Sequence, residues 1–302
     1  MPSQIFTYSF DTPTFKGTTK VHTGLFIDGE FVDPSIGDSS ISIVKTVFSA
    51  TGETITSVAG GTKSDVDIAV KAAKKAYKTS WGLRCPGPQR GKLLSKLADL
   101  IEQHADELVA LETLNVGKPF TAAKIVDVTG TVDIFRYFAA WADKIQGKVI
   151  ETDEDKLSYT LHEPYSVVGQ IIPWNFPLLM AGWKLSPALA TGNTPSEITL
   201  LTAQCLCNFI IEVGFPPGVV NVINGYGHTV GQAINEHPDI FKVAFTGSTL
   251  VGRKIQEASA QSNLKAVTLE LGGKSPCIIF DDADIEQVVK WMASSIFCAA
   301  GY

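Results

Sequence analysis

Apolar residues along the chain follow two patterns. In the first half they recur at helical spacing, which predicts helices over 64–76, 88–116 and 120–145. From residue 167 onward, short apolar runs alternate with amphipathic segments, which predicts alternating strands and helices. The strands are expected at 167–172, 219–223, 242–245, 267–271 and 277–280. The helices are expected at 178–191, 202–213, 229–235, 250–262 and 285–297.

This alternation is typical of a parallel sheet joined by crossover helices, so the second half is predicted to be an α/β domain. Asp28-Gly29 separates two apolar runs within 25–32 and predicts a β-hairpin. The segments 41–48 and 148–168 also have extended patterns. Ser64 and Asp67 resemble a capping box at the start of the first helix, with Asp in place of the usual Glu.

Composition narrows the function classes. The 302 residues are 45% apolar and 19% charged, as in a globular protein, and suffice for one large or two ordinary domains. A net charge of −6 gives no basic footprint for nucleic acid. No apolar run has the length of a membrane span, and the five cysteines form no Cys/His cluster with zinc spacing. We therefore expect a cytoplasmic protein without a metal, nucleic-acid or membrane partner.

Segment 245–252 lies at a predicted strand-to-helix turn and reads Phe-Thr-Gly-Ser-Thr-Leu-Val-Gly. Its first glycine lets the backbone approach a ligand closely, and the free amides that begin the next helix suit a pyrophosphate. An ordinary connection, capped by Ser248 or Thr249, is the alternative. A second glycine group lacks the GxGxxG spacing and alone indicates a dinucleotide only weakly. It comprises Gly225, Gly227 and Gly231.

Two residues are candidates for catalysis. Asn175 follows the first strand of the alternating region, where a parallel sheet binds its ligands, and its amide could donate to a developing oxyanion. The alternative is an Asn that bonds to its own turn backbone. Glu270 lies between Leu269 and Leu271, so we expect it to be half-buried or paired. Burial would raise its pKa, as suits a general base, whereas a structural glutamate is the alternative.

With 112–119, 141–145 and 189–193, these motifs resemble the aldehyde dehydrogenase family over about residues 26–301. The resemblance implies oxidation of an aldehyde to a carboxylic acid with NAD or NADP, through a cysteine thiohemiacetal and a thioester that activated water hydrolyses. It implies that Asn175 stabilises the oxyanion and that Glu270 is the base. The implied cofactor-binding residues are Ile171, Ile172, Pro173, Trp174, Glu197, Gly227, Gly231, Phe245, Gly247, Ser248, Thr249, Leu250, Val251, Gly252 and Leu271.

The same resemblance implies a Rossmann-like doubly wound sheet with N-terminal helices and a hairpin. It divides the chain into an N-terminal part of the cofactor domain (1–147), an oligomerisation arm (148–162), a dinucleotide-binding part (163–271) and the start of a catalytic domain (272–302). In the family, Glu197 contacts the adenosine ribose, which favours NAD. The alternative for Glu197 is an acid in the first turn of a helix.

The chain departs from the family pattern in three places. The nucleophilic cysteine is expected just beyond Tyr302, and Cys298 is interpreted as a buried helix thiol. At Thr194-Pro195 the family has several more residues, a strand with a ribose-binding lysine, whose loss would impair cofactor binding. Either helix ends unwind to rebuild that strand, or the sheet has a gap there. Most of the family's catalytic domain, with the substrate tunnel, is expected to be missing.

Three functions follow from these observations. The chain is expected to be a truncated or degenerate aldehyde dehydrogenase that is inactive alone. An active enzyme is the second hypothesis. The third is a non-catalytic dinucleotide-binding protein that co-oligomerises with itself or with intact relatives through the 148–162 arm.

Overall fold

The computed structural model describes residues 4–35, 42–47, 52–198 and 201–297. The strands are Ile5–Asp11 (β1), Lys16–His22 (β2), Leu25–Ile27 (β3), Glu30–Val32 (β4), Ser42–Val47 (β5), Thr54–Gly60 (β6), Val149–Ile150 (β7), Ser158–Tyr159 (β8), Val167–Ile171 (β9), Thr194–Ile198 (β10), Asn221–Val222 (β11), Lys242–Gly247 (β12) and Ala266–Leu271 (β13). The helices are Lys63–Thr79 (α1), Gly87–Gln103 (α2), Ala105–Val116 (α3), Phe120–Ala122 (α4), Thr129–Trp141 (α5), Pro177–Ala190 (α6), Leu201–Val213 (α7), Gln232–Glu236 (α8), Thr249–Gln261 (α9) and Ile285–Phe297 (α10). Shorter helical turns are Gly82–Arg84 (3₁₀), Ala123–Val128 (π) and Gly227–Gly231 (π).

A seven-stranded sheet organises the second half of the chain, in the order β13-β12-β9-β10-β11-β3-β4. The five strands from β13 to β11 are parallel, and β3 with β4 adds an antiparallel edge. From β9 the chain builds outward through β10 and β11, and then returns to add β12 and β13 on the other side. The predicted doubly wound parallel sheet is therefore confirmed, and its order reverses between β9 and β12.

The sheet separates two hydrophobic cores. Successive side chains of a strand point to opposite faces, so Leu25 and Ile27 enter one core while Phe26 enters the other. The first core packs helices α2, α3, α5, α6 and α7 together. The second core packs α1, α8 and α9 against β9 and β12. Both faces of the central strands thus have a partner over much of their length, as parallel strands require.

The β3–β4 hairpin agrees with its sequence prediction. Asp28 and Gly29 both have positive φ angles, 53° and 84°, as a two-residue type I′ turn requires. The helix start predicted nearby was wrong by two residues. Thr62, not Ser64, caps α1: its Oγ1 accepts from the Asp65 amide at 3.4 Å, and Asp65 Oδ2 accepts from the Thr62 amide at 2.7 Å.

The junction after α6 leads into a strand, so the sheet has no gap at this position. Gly192 adopts a left-handed φ of 85° directly after the C-cap residue Thr191, and β10 begins two residues later. Strand β10 pairs with β9 along its whole length, from Thr194 opposite Val167 to Ile198 opposite Ile171. Of the two alternatives at Thr194-Pro195, the strand is present, but neither flanking helix unwinds to supply it: α6 ends at Ala190, α7 begins at Leu201, and β10 lies between them.

Two other predictions were wrong, and one element was missed. The long helix predicted over 88–116 is two helices that meet at His104, whose φ of −100° and ψ of 20° interrupt the helical path. The strand predicted over 277–280 is absent, since no described strand pairs with this exposed segment. The sequence also missed the β1–β2 hairpin.

Within the described ranges, no helix has the length and apolar character needed to cross a bilayer.

The cap of α1 gives a direct test of this structure. We expect Thr62→Ala to lower the free energy of unfolding by about 1 kcal/mol, because the substitution leaves the Asp65 amide without its acceptor. Thr62→Ser keeps the hydroxyl and should stay near wild type. Ser64→Ala is the matched control, since Ser64 is exposed inside the helix and no cap depends on it. Urea unfolding of all four proteins checks the order, and a larger loss in Ser64→Ala than in Thr62→Ala would contradict it.

Candidate active site

The carboxyl ends of β9, β12 and β13 meet at one edge of the sheet. Ile171 lies opposite Phe245 of β12, and Gly247 lies opposite Leu271 of β13. Because strand order reverses between β9 and β12, the connections leaving these two strands diverge to opposite faces and open a crevice. Asn175 follows β9, and Ser248 follows β12. The topology alone therefore brings the two main sequence motifs to one place.

An open cavity of about 1130 Å³ lies at this crevice. It is bounded by the loop after β9, by one face of α6, and by the ends of β12 and β13. Seven of the predicted site residues border it: Pro173, Trp174, Asn175, Gly247, Ser248, Glu270 and Leu271. Both candidate catalytic residues and the predicted pyrophosphate turn thus face the same space.

Asn175 is half-buried in the turn between β9 and α6. Among the described residues, none forms a hydrogen bond with its side-chain amide. An Asn that merely stabilised its own turn would bond to the turn backbone. The side chain instead borders the cavity with its donor available, as an oxyanion-stabilising group requires.

Glu270 is exposed, which contradicts the expectation that it is half-buried or paired. The reason lies in strand alternation: Leu269 packs against the core shared with α9, so Glu270 points to the opposite face. Thr246 of β12 lies beside Glu270 in the strand register and borders the same cavity. No described residue forms an ion pair with the carboxylate, which leaves it accessible to water.

The turn after β12 combines a helix cap with a close approach of two elements. Ser248 caps α9, and its Oγ accepts from the Val251 amide at 3.3 Å. A Cβ placed on Gly252 would lie 2.8 Å from Leu271 Cδ2, so α9 packs closely on the end of β13 and a larger residue would require the Leu271 side chain to move. The positive end of the α9 dipole is thereby fixed at the edge of the crevice.

The other predicted cofactor residues are not part of the cavity wall. Phe245 is buried in the core, as is Gly231, while Ile171 and Ile172 are half-buried against the two cores. Glu197 lies in β10, aligned with Gln170 of β9. The remaining residues are exposed or at the start of α9: Gly227, Thr249, Leu250, Val251 and Gly252.

Sequence reasoning missed two lysines at the cavity. Lys184 is the one charged residue of the otherwise apolar helix α6, and Lys242 begins β12. Burial lowers the pKa of Lys242, whose Nζ contacts Thr268 Oγ1. A single cation within an apolar helix was the available signal for Lys184.

A buried charge cluster, comprising Glu112, Lys118 and Asp127, was also missed. Lys118 Nζ donates to Asp127 Oδ1 at 2.7 Å, with side chains 1% and 0% exposed. Thr202 Oγ1 donates to Glu112 Oε2 at 2.6 Å. Desolvation and the neighbouring Asp127 charge raise the pKa of Glu112 to about 8, so Glu112 carries a proton at neutral pH. Desolvation raises the pKa of Asp127 as well, so both buried acids resist ionisation and Lys118 is the counter-charge beside them.

The described residues contain no group of three or more potential metal ligands. Four cysteines are described: Cys85, Cys205 and Cys207 are buried, and Cys277 is exposed. None borders the cavity. Burial raises the pKa of Cys205 to about 12, so this thiol is not nucleophilic. Cys298 and Tyr302 lie outside the described residues.

Comparison with known proteins identifies the class. Residues 36–302 match the aldehyde dehydrogenase family, and the chain belongs to it. It is 57% identical to an aldehyde dehydrogenase of Agaricus bisporus, over 100% of this chain and 61% of that protein. It is 52% identical to mitochondrial aldehyde dehydrogenase of Homo sapiens, over 92% of this chain and 55% of that protein.

A solved structure gives the same result. An aldehyde dehydrogenase from Bacillus cereus, in its NAD+ complex, matches with a TM-score of 0.88 and 45% identity, over 92% of this chain and 57% of that one. The chain thus spans a little more than half the length of these relatives. The resemblance predicted from the motifs is confirmed at the level of family and fold.

The buried cluster beneath the site makes stability depend on pH. The pKa of Glu112 is about 8 in the folded state against an ordinary 4.5, so its contribution to stability is fully present below pH 4.5 and is lost as the pH rises to about 8. Relative to Glu112→Gln, we expect the wild type to lose about 1 kcal/mol or more over that range. Urea unfolding at a series of pH values measures this.

The isosteric control is Glu257→Gln, at an exposed position of α9. Its difference from the wild type should stay constant with pH over the same range. Parallel pH curves for wild type and Glu112→Gln would show that Glu112 does not titrate abnormally.

Proposed function

We propose that the chain provides the cofactor-binding part of an NAD(P)-dependent aldehyde dehydrogenase, together with its general base and its oxyanion donor. The observation that carries this proposal is that Asn175, Glu270 and the Ser248 turn border one cavity at the strand-order reversal. The NAD+ complex of the Bacillus cereus relative supports NAD as the cofactor.

Each residue has a role that its environment suits. The free Asn175 amide donates to the oxygen of the aldehyde as negative charge develops on it. The exposed Glu270 carboxylate accepts a proton from the water that hydrolyses the acyl intermediate. The α9 N-terminus favours the pyrophosphate through the amides of Thr249 and Leu250, since those of Val251 and Gly252 already donate to Ser248. The bound cofactor supplies the hydride acceptor.

We further propose that the chain does not oxidise aldehydes on its own. Aldehyde dehydrogenation of this kind needs a cysteine nucleophile next to the base and the oxyanion donor. Within 4–35, 42–47, 52–198 and 201–297, no cysteine borders the cavity that holds Asn175 and Glu270.

Cofactor binding is tested by calorimetric titration with NAD and, separately, NADP. Gly227 is exposed, and a Cβ placed there meets no atom within 4 Å, so Gly227→Leu should fold normally. The family resemblance puts Gly227 near the adenine side of the cofactor, where a leucine side chain would obstruct it, and we expect NAD binding to weaken about tenfold or more. Gln89→Leu, at an exposed position of α2, is the matched control and should bind like the wild type.

The outcomes of this titration separate the proposals. Absence of a heat signal for the wild type at millimolar NAD and NADP would refute cofactor binding by this chain. Equal affinity in Gly227→Leu and wild type would refute this location. The same preparation, given a simple aldehyde and NAD, should form no NADH. Sustained NADH formation that Glu270→Gln abolishes would confirm the base and refute the proposed inactivity.

A second proposal concerns assembly. The antiparallel β7–β8 pair forms the arm expected over 148–162, and its apolar side chains are unusually exposed: Val149 80%, Leu157 80% and Leu161 69%. We propose that this arm packs against another copy of the chain or a longer relative, because water would otherwise hydrate this apolar surface.

Light scattering across a concentration series tests the arm. We expect Val149→Glu combined with Leu157→Glu to weaken self-association about tenfold or more, since the carboxylates would be buried in the contact. Lys148→Glu alters charge on the same arm without removing apolar surface, and should change the mass little. An unchanged mass in the double variant would contradict the arm as the contact.

A further inference from the structure

The turn that holds Asn175 is bounded by two prolines, which limits the amide donors of its backbone. It runs from Pro173 to Pro177, and neither proline has an amide hydrogen to donate. No described residue bonds to the Asn175 side chain. Phe176, the N-cap residue of α6, provides no side-chain cap and has a φ of −139° and ψ of 55°. The position of Asn175 therefore depends on what holds the side chains beside it.

The ring of Phe176 packs against a buried cation. Lys118 Nζ lies 3.2 Å from the centroid of the Phe176 ring. Lys118 is 1% exposed, so this contact is made away from water, where a cation–π interaction is strongest. Phe176 also forms part of the cavity wall, and among the described residues Lys118 is the cation in contact with its ring.

The cation is itself fixed by three separate elements. Asp127, which binds Lys118 Nζ, lies in the π-helical turn between α4 and α5. Glu112 of α3 contacts Asp127 and is bonded by Thr202 of α7. π-helical turns occur frequently at functional sites, because they redirect one side chain within an otherwise regular helix. Here the turn places a carboxylate where Lys118 can bind it beneath Phe176.

We propose that Lys118 is a positioning residue for the Asn175 turn, and that it acts through the ring of Phe176. The functional meaning of this positioning rests on the oxyanion role proposed for Asn175. The contact between Lys118 and the Phe176 ring does not depend on that role. A purely structural ion pair would need only Asp127 as partner for Lys118. The ammonium instead lies against the one side chain that directly follows Asn175 in the chain.

Hydrogen exchange measures this without any catalytic assay. Only three amide hydrogens lie between the two prolines, those of Trp174, Asn175 and Phe176. We expect Phe176→Leu, which keeps the apolar bulk and removes the ring, to accelerate their exchange about tenfold. Lys118→Met should accelerate exchange of the three amides to a similar degree. Lys118→Arg should keep their exchange near the wild-type rate, because its planar cation also stacks on a ring.

Phe138→Leu is the matched control. Phe138 is another half-buried ring, it packs against the first hydrophobic core, and no described cation lies against it. It should leave the three amides unchanged. The double variant of Lys118→Met and Phe176→Leu should exchange no faster than either single variant, because both remove the same contact.

Two results would overturn the proposal. In the first, the Lys118 and Phe176 variants exchange faster throughout α3, α5 and α6, by an amount that matches their loss of global stability. Denaturant unfolding of the same variants measures that loss. The other is an unchanged exchange rate of the three amides in Phe176→Leu, which needs no change in the buried charges and is expected to fold. Either result leaves the NAD titration of the wild type unaffected, so a failure here is separate from a failure of cofactor binding.

Discussion

The parallel pairing of β9 with β10 on one side and β12 on the other is the constraint on which this structure depends. Strand β9 is the first strand of the parallel sheet, and both directions of growth start from it. Each added strand satisfies the backbone groups of β9 on one edge, so neither neighbour can be lost without leaving buried donors unpaired. The crevice with Asn175 and the Ser248 turn exists only because both neighbours are present.

Burial explains how the site is supported. Apolar side chains fill both faces of the sheet except where the cavity opens, on the face opposite the core of α1, α8 and α9. Beneath the Asn175 turn, the cluster of Glu112, Lys118 and Asp127 replaces apolar packing with charge. Buried ion pairs contribute little net stability compared with apolar side chains of similar volume. Their presence here is better explained by the positions that they fix than by the stability that they add.

The sequence predicted the parts of the fold that short-range patterns determine. The Asp28-Gly29 hairpin, the helix end at Gly192 and the alternation after residue 167 all depend on local turn chemistry and periodicity. For Thr194–Ile198 the sequence left a rebuilt strand and a gap in the sheet as alternatives, because a Pro-containing segment of low periodicity becomes a strand only through its long-range pairing with β9. The motifs of the site were recognised for the same local reasons. The exposure of Glu270 and the cluster around Lys118 depend on which elements pack together, which a single sequence does not show.

The alternation of β13 has a consequence for the fidelity of folding. Leu269 faces the core and Glu270 faces the cavity, in register with Phe245 and Thr246 of β12. A slip of one residue would exchange the two, placing an unpaired carboxylate among apolar side chains at a cost of several kcal/mol. The packing of Leu269 thus opposes any slip of β13 by one residue, so the same contact that fills the core also keeps the proposed base on the cavity face.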